Sequence, residues 1–249
     1  NIDTRFRLGA VIVESLDTFW LKKNLTNEIL RYSGTASCDF LEQCPHIDPT
    51  KYKIWIIAGT IPLKTKNPNK VTSSSLVFDD KGQIVARYDK IHLFDVQLPN
   101  SDESYNESEV FEHGKNLKII ETPVGIIGLA ICYDLRFPEL FRLLHSSDVE
   151  IIVLPSAFTE QTGKVHWEPL VKSRAIENLC YMVTSCQDGY HISGRQTHGN
   201  SMIVNPWGQI MSKIESGSGF IESEINHKQL ISIREKFPVL KHITLVGNK

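Results

Sequence analysis

Gly125-Ile126-Ile127-Gly128-Leu129-Ala130-Ile131 is an unbroken apolar run that delivers Cys132 into a polar turn, Tyr133-Asp134-Leu135-Arg136. Small and branched residues in so short a run, bounded by Pro123 and by downstream charges, predict a buried strand over Ile126 to Cys132. Phe137 to Leu144 follows, with Pro138 at an opening position and apolar residues at helical spacing, which predicts a helix. Cys132 is thereby placed at the carboxyl end of a strand, where open α/β sheets present their ligand sites. The thiol is a candidate nucleophile, against the alternative of a cysteine packed in the core.

Further strand-like runs lie at Ile54 to Ala58, Ser75 to Phe78, Ile84 to Ala86, Ile151 to Leu154, Tyr181 to Ser185 and Ser201 to Val204. A second helix is predicted over Lys164 to Asn178, where Trp167, Leu170, Val171, Ala175 and Ile176 share a face and Pro169 sits early. Strands alternating with helices in the carboxyl half, and a hairpin over Phe78 to Ile84, indicate a mixed α/β sheet. Residues 14–50 show no clean period.

The 249 residues, 41% hydrophobic and 22% charged, suffice for a single domain spanning 1–249. A net charge of -2 with both signs interspersed gives no footprint for nucleic acid or an anionic membrane surface. No run reaches transmembrane length, and Leu8 to Val13 is too short for a signal-peptide core, so a soluble cytoplasmic protein is expected. The five cysteines, Cys38, Cys44, Cys132, Cys180 and Cys186, are odd in number and form no CxxC pair, which argues against a disulfide framework and a common zinc site. If Leu179 to Cys186 is one strand, Cys180 and Cys186 share a face but lie about 20 Å apart, too far to bridge. A metal site adding His191 and His198 would span an irregular Gly-rich loop and is set aside. No metal and no cofactor are expected.

Lys90 ends another strand, in Tyr88-Asp89-Lys90-Ile91-His92-Leu93-Phe94-Asp95. A lysine there is ordinarily a solvated strand end, but beside a nucleophilic thiol it gains a role. Acyl transfer from an amide needs a thiolate, a donor for the developing oxyanion, and an acid/base that serves both thiol and leaving amine. Cysteine, lysine and a carboxylate can supply all three. A cysteine protease is disfavoured because no histidine is specially placed.

That lysine segment, Gly128 to Leu140 around Cys132, Pro155-Ser156-Ala157-Phe158, His166-Trp167-Glu168, Arg174 to Asn178 and Val204-Asn205-Pro206-Trp207-Gly208 occur in order. Together they resemble the Nit branch of the nitrilase superfamily of carbon-nitrogen hydrolases, from about Ile54 to Leu240. The resemblance implies an α-β-β-α sandwich that forms a homodimer, and a Glu-Lys-Cys triad without a metal. It assigns Cys132 as nucleophile and Lys90 as oxyanion donor, assisted by the Tyr133 backbone N–H. Arg136 matches a position that can hold a substrate carboxylate, and Glu107 resembles a second glutamate that supports the lysine. For Arg136 the alternative is a surface or helix-start salt bridge; for Glu107 it is a solvated acidic loop shared with Glu103 and Glu109. The implied substrate is a small carboxylate-bearing amide, either deaminated glutathione or an ω-amide of a keto acid.

The family's catalytic glutamate normally follows a strand and a proline, and no Pro-Glu pair lies upstream of Lys90. Glu14 follows the strand-like Leu8 to Val13 at close to the family's spacing from Ile54, with Val13 where proline is usual; it is preferred. Glu42, much nearer Ile54, is the alternative. With Glu14 in the role, the chain lacks the family's N-terminal strand and helix; with Glu42, a deletion follows it. The segment after Pro238 also leaves the family pattern. These departures keep open a second reading, a catalytically impaired relative acting as a binding or scaffold partner.

Overall fold

The computed structural model describes residues 7–8, 55–99, 101–191, 194–217 and 219–244. They fall into two compact units, each treated by itself. At the start of the described chain, β1 (Arg7–Leu8) is a two-residue strand.

The described residues of one unit lie within Ser15–Lys118 and Leu129–Asp134. Its sheet is antiparallel and centred on β4: β2 (Ile56–Ile57) and β3 (Ile61–Lys64) pair with opposite ends of β4 (Val71–Phe78), and β5 (Ile84–Asp89) runs along it. The β4–β5 turn forms as its sequence demands. Asp79 Oδ1 accepts from the Lys81 and Gln83 N–H groups, and Gly82 takes φ +77°, which a Cβ would oppose. A smaller hairpin joins β6 (Asp95–Gln97) to β7 (Ser104–Asn106), with Asp95 opposite Asn106. Val77, Phe78, Tyr88, Leu129 and Ala130 are all buried.

The other unit is built on a six-stranded sheet. β8 (Ile119–Thr122) and β9 (Gly125–Leu129) pair antiparallel, followed by α1 (Pro138–His145), β10 (Ile151–Ser156) and α2 (Glu168–Asn178). β11 (Tyr181–Cys186) runs parallel to β10. A hairpin, β12 (Asp188–Tyr190) and β13 (Gln196–His198), precedes β14 (Ser201–Val204) and β15 (Ile210–Ile214). β16 (Ser223–Glu224) pairs with β1, and α3 (His227–Lys236) follows. The sheet order is β15-β14-β11-β10-β9-β8. Helix α2 packs on β11, β14 and α1, burying Val171 and Ala175, while Phe141 of α1 is fully buried and carries the Arg174 guanidinium on its ring at 5.2 Å. This is the α/β mixture expected from the alternating runs. Among the described residues no helix is long and apolar enough to cross a membrane.

Three sequence expectations need correction. The strand expected to reach Cys132 ends at Leu129, because Ile131 spends its backbone N–H and C=O on Asp134 instead of on a ladder. Cys132 instead opens a 3-10 turn, Cys132–Arg136. The strand expected from Leu179 begins at Tyr181, since Leu179 is the left-handed C-cap of α2 at φ +44° and Cys180 precedes the ladder. The single helix over Lys164 to Asn178 is in fact a short α-turn, Glu160–Thr162, a wider π-turn, Gly163–Trp167, and then α2. Pro169 has no N–H for the carbonyl four residues back, so a wider turn just before it forfeits little hydrogen bonding.

Candidate active site

Lys90 leaves β5 with its backbone held on both sides: its N–H donates to Ser73 O at 2.8 Å, and its carbonyl accepts from Gly114 N at 2.7 Å. Its side chain is only 4% exposed, and Nζ donates to Glu107 Oε2 at 2.5 Å. The register of the small hairpin explains why Glu107 is the partner. With Asp95 opposite Asn106, Phe94 faces Glu107, and Glu107 Oε2 also accepts from Phe94 N at 2.6 Å. Glu103 and Glu109, from the same acidic stretch, are exposed. A buried ammonium is stable only beside an opposite charge and hydrogen-bond acceptors.

Cys132 is half-buried and has φ +47°, a left-handed conformation uncommon for a residue with a Cβ. Tyr133 beside it sets its ring edge-on to Phe94 at 4.9 Å, and Phe94 also meets Tyr105 at 5.0 Å. Tyr133, Phe94, Glu107 and Lys90 thus form one connected group. Asp134 is fully buried and bonds both Tyr88 and His92, which flank Lys90 in sequence. Neither Asp134 nor its two partners was singled out from the sequence; the available signal was an acid two residues after the cysteine, in the turn that follows the apolar run.

Arg136 closes the 3-10 turn that Cys132 opens. Its guanidinium lies over the Phe158 ring at 5.2 Å, and Nη1 donates to His166 Nδ1 at 3.2 Å. Because arginine can only donate, His166 Nδ1 is the acceptor and the ring is neutral. Burial, followed by the nearby Arg136 charge, lowers the His166 pKa from its ordinary value and favours that form. The π-turn is what presents His166 to Arg136.

The other described thiols have a different character. Cys180 and Cys186 are buried, and burial pushes the Cys180 thiol up to about 12. Among the described residues no cluster of three His, Cys, Asp or Glu side chains is placed to hold a metal ion. His198 pairs with Glu160 at 2.9 Å, and His191 Nε2 bonds Thr197 Oγ1 at 2.9 Å. Glu14 and Glu42, the two candidates for the general base, lie outside the described residues, as do Cys38 and Cys44.

Residues 14–235 match the family model described as carbon-nitrogen hydrolase. The chain belongs to the carbon-nitrogen hydrolase family. It is 41% identical over 199 residues to a deaminated glutathione amidase of Yersinia enterocolitica, covering 80% of this chain and 70% of that one. A protein of the same name from Synechocystis is 34% identical over 249 residues, covering 98% and 90%. Among solved structures, the C. elegans NitFhit protein superposes with a TM-score of 0.79 at 34% identity over 88% of this chain. This chain spans 53% of that protein, about half its length. Saccharomyces cerevisiae Nit3, a member of branch 10 of the nitrilase superfamily, gives 0.69 at 31% identity, covering 77% of this chain and 66% of that one. The carbon-nitrogen hydrolase chain described here accordingly has the nitrilase-like α/β fold.

Proposed function

We propose that the protein is an amidase that hydrolyses the C–N bond of a small carboxylate-bearing amide through a thioester on Cys132. The observation that carries this reading is the Lys90 ammonium, buried and paired to Glu107, in a group that reaches Tyr133 next to the thiol. In the proposed sequence, the Cys132 sulfur attacks the amide carbon and the carbonyl oxygen takes up negative charge. Lys90 and the Tyr133 N–H donate to that oxygen. The C–N bond breaks as the nitrogen is protonated and ammonia leaves; water then attacks the thioester, giving the carboxylate and the free thiol. A glutamate supplies and collects the proton, and Glu14 is assigned that role ahead of Glu42.

Glu107 is assigned the task of pairing with the Lys90 ammonium and holding it in place, and Arg136 that of holding the substrate carboxylate by its planar fork. Relatives named deaminated glutathione amidase make deaminated glutathione the first substrate to test, with ω-amides of keto acids next. Among the described residues Cys132, Cys180 and Cys186 are thiols rather than disulfide halves, which suits a reducing compartment, so a cytoplasmic protein is part of the proposal. So is a homodimer: Leu143 on α1 and Ile176 on α2 are exposed apolar side chains that a second copy would cover.

The test is ammonia release from deaminated glutathione by the full chain and by Cys132→Ala. Turnover that disappears in the variant supports the amidase. Equal turnover by the variant refutes the thioester route, and no turnover by the parent chain favours the binding or scaffold reading.

A further inference from the structure

The Asp134 carboxylate is fully buried, two residues after Cys132. Oδ2 accepts from Tyr88 Oη at 2.7 Å and Ile131 N at 2.9 Å; Oδ1 accepts from His92 N at 3.1 Å and His92 Nδ1 at 2.7 Å. A buried carboxylate persists only when donors fill its lone pairs, and these donors come from two separate segments. Tyr88 and His92 stand two residues before and two after Lys90. Ile131 stands immediately before Cys132, and the Asp134 N–H donates back to Ile131 O at 3.0 Å.

The nucleophile candidate is therefore bracketed. Its φ of +47° costs an L-residue about 1–2 kcal/mol and persists only where the neighbours overdetermine the backbone. The ties between Ile131 and Asp134 do this locally, and the ties to Tyr88 and His92 fix that turn to the chain on either side of Lys90. Burial, and then the charge of Asp134, raise the Tyr88 hydroxyl far above its ordinary range, so it remains a donor at every working pH.

We propose that Asp134 is a positioning residue: its carboxylate couples the Cys132 turn to the Lys90 segment and holds thiol and ammonium in a fixed relation. This rests on the roles given to Cys132 and Lys90 above. A carboxylate serving stability alone would tolerate loss of its charge with no change in the chemistry of the thiol.

The experiment follows Cys132 directly, by the rate of its alkylation with iodoacetamide from pH 6 to 10, read by peptide mass spectrometry on the full chain. Asp134→Asn is expected to move the midpoint of that profile by about half a pH unit or more. It should also lower kcat on deaminated glutathione about 30-fold while KM changes less than about threefold. Tyr88→Phe removes one donor without changing shape and should act in the same direction, more weakly; it decides the matter if Asp134→Asn does not fold. A Cys132 profile and kcat that match the parent in the folded variants overturn the proposal, even if the melting temperature falls. Alkylation needs no amide substrate, so a parent chain that hydrolyses nothing refutes the amidase reading while the profile still tests this one.

Discussion

Lys90 Nζ meets Glu107 Oε2 at 2.5 Å, and the same oxygen caps the Phe94 N–H at 2.6 Å. One carboxylate oxygen thus neutralises a buried cation and closes the loop that carries it. Glu107→Ala should leave both donors unsatisfied, lowering stability by about 2–3 kcal/mol, less than a fully buried pair because Glu107 is 17% exposed. Activity on an amide should fall about 100-fold, as on losing an oxyanion donor. Chemical denaturation and steady-state kinetics check this, and a neutral effect on both removes Glu107 from the site.

Arg136 is fixed on one side by the Phe158 ring and on another by His166. Arg136→Lys replaces the planar fork with a point charge and should raise KM for a carboxylate-bearing amide about tenfold or more, the share of a charged hydrogen bond. His166→Ala should raise KM several-fold with kcat held. For an amide lacking the carboxylate, neither variant should change KM; a rise there would assign Arg136 a purely structural role.

Gly114 lies against the backbone of the lysine segment, and a Cβ at this position would sit 2.0 Å from the Asp89 carbonyl oxygen. Gly114→Ala must push that strand end away while its own N–H is bonded to Lys90 O. Overpacking of this kind costs about 1–3 kcal/mol. We expect that loss in urea denaturation together with reduced kcat, whereas Gly189→Ala, whose Cβ would meet nothing within 4 Å but whose φ of +109° strains any side chain, should lower stability while leaving kcat unchanged.

Stability should fall at alkaline pH. The Cys180 thiol is raised from 9.0 to about 12 by burial, so above pH 9 the unfolded chain loses a proton that the folded chain retains. The folded state then binds more protons, and the stability present in full below pH 9 is lost as pH rises toward 12. Tyr88, raised by burial and by Asp134, adds to the decline from about pH 10, its ordinary value. Each group contributes at most about 1.4 kcal/mol per pH unit. Denaturation midpoints at pH 8, 9.5 and 10.5 should decline, and Cys180→Ala should flatten the slope between the first two; an equal slope in the variant would falsify the assignment to Cys180.

The strands around Ile151, Tyr181 and Ser201 were legible because buried runs of branched residues leave a strong local signal. The hairpin at Asp79 to Gly82 was legible because its turn chemistry is local. The shorter strands β3, β6, β7, β12 and β13 were not, since pairs such as Asp95 with Asn106 are made by tertiary register rather than by any period. The π-turn before α2 was hidden too, because Val165, His166 and Trp167 fit helical spacing equally well.

Cys132, Lys90 and Arg136 could be named from the chain alone, since their side-chain chemistry and ordered motifs are carried by the residues themselves. Glu107 was singled out only by the resemblance; residue chemistry alone does not separate it from Glu103 and Glu109 as the partner of the lysine. These residues share chemistry and neighbourhood, and only the β6–β7 register turns one inward. The same holds for Asp134: beyond the local Ile131 N–H, its donors come from Tyr88 and His92, which become its neighbours only when the chain has folded.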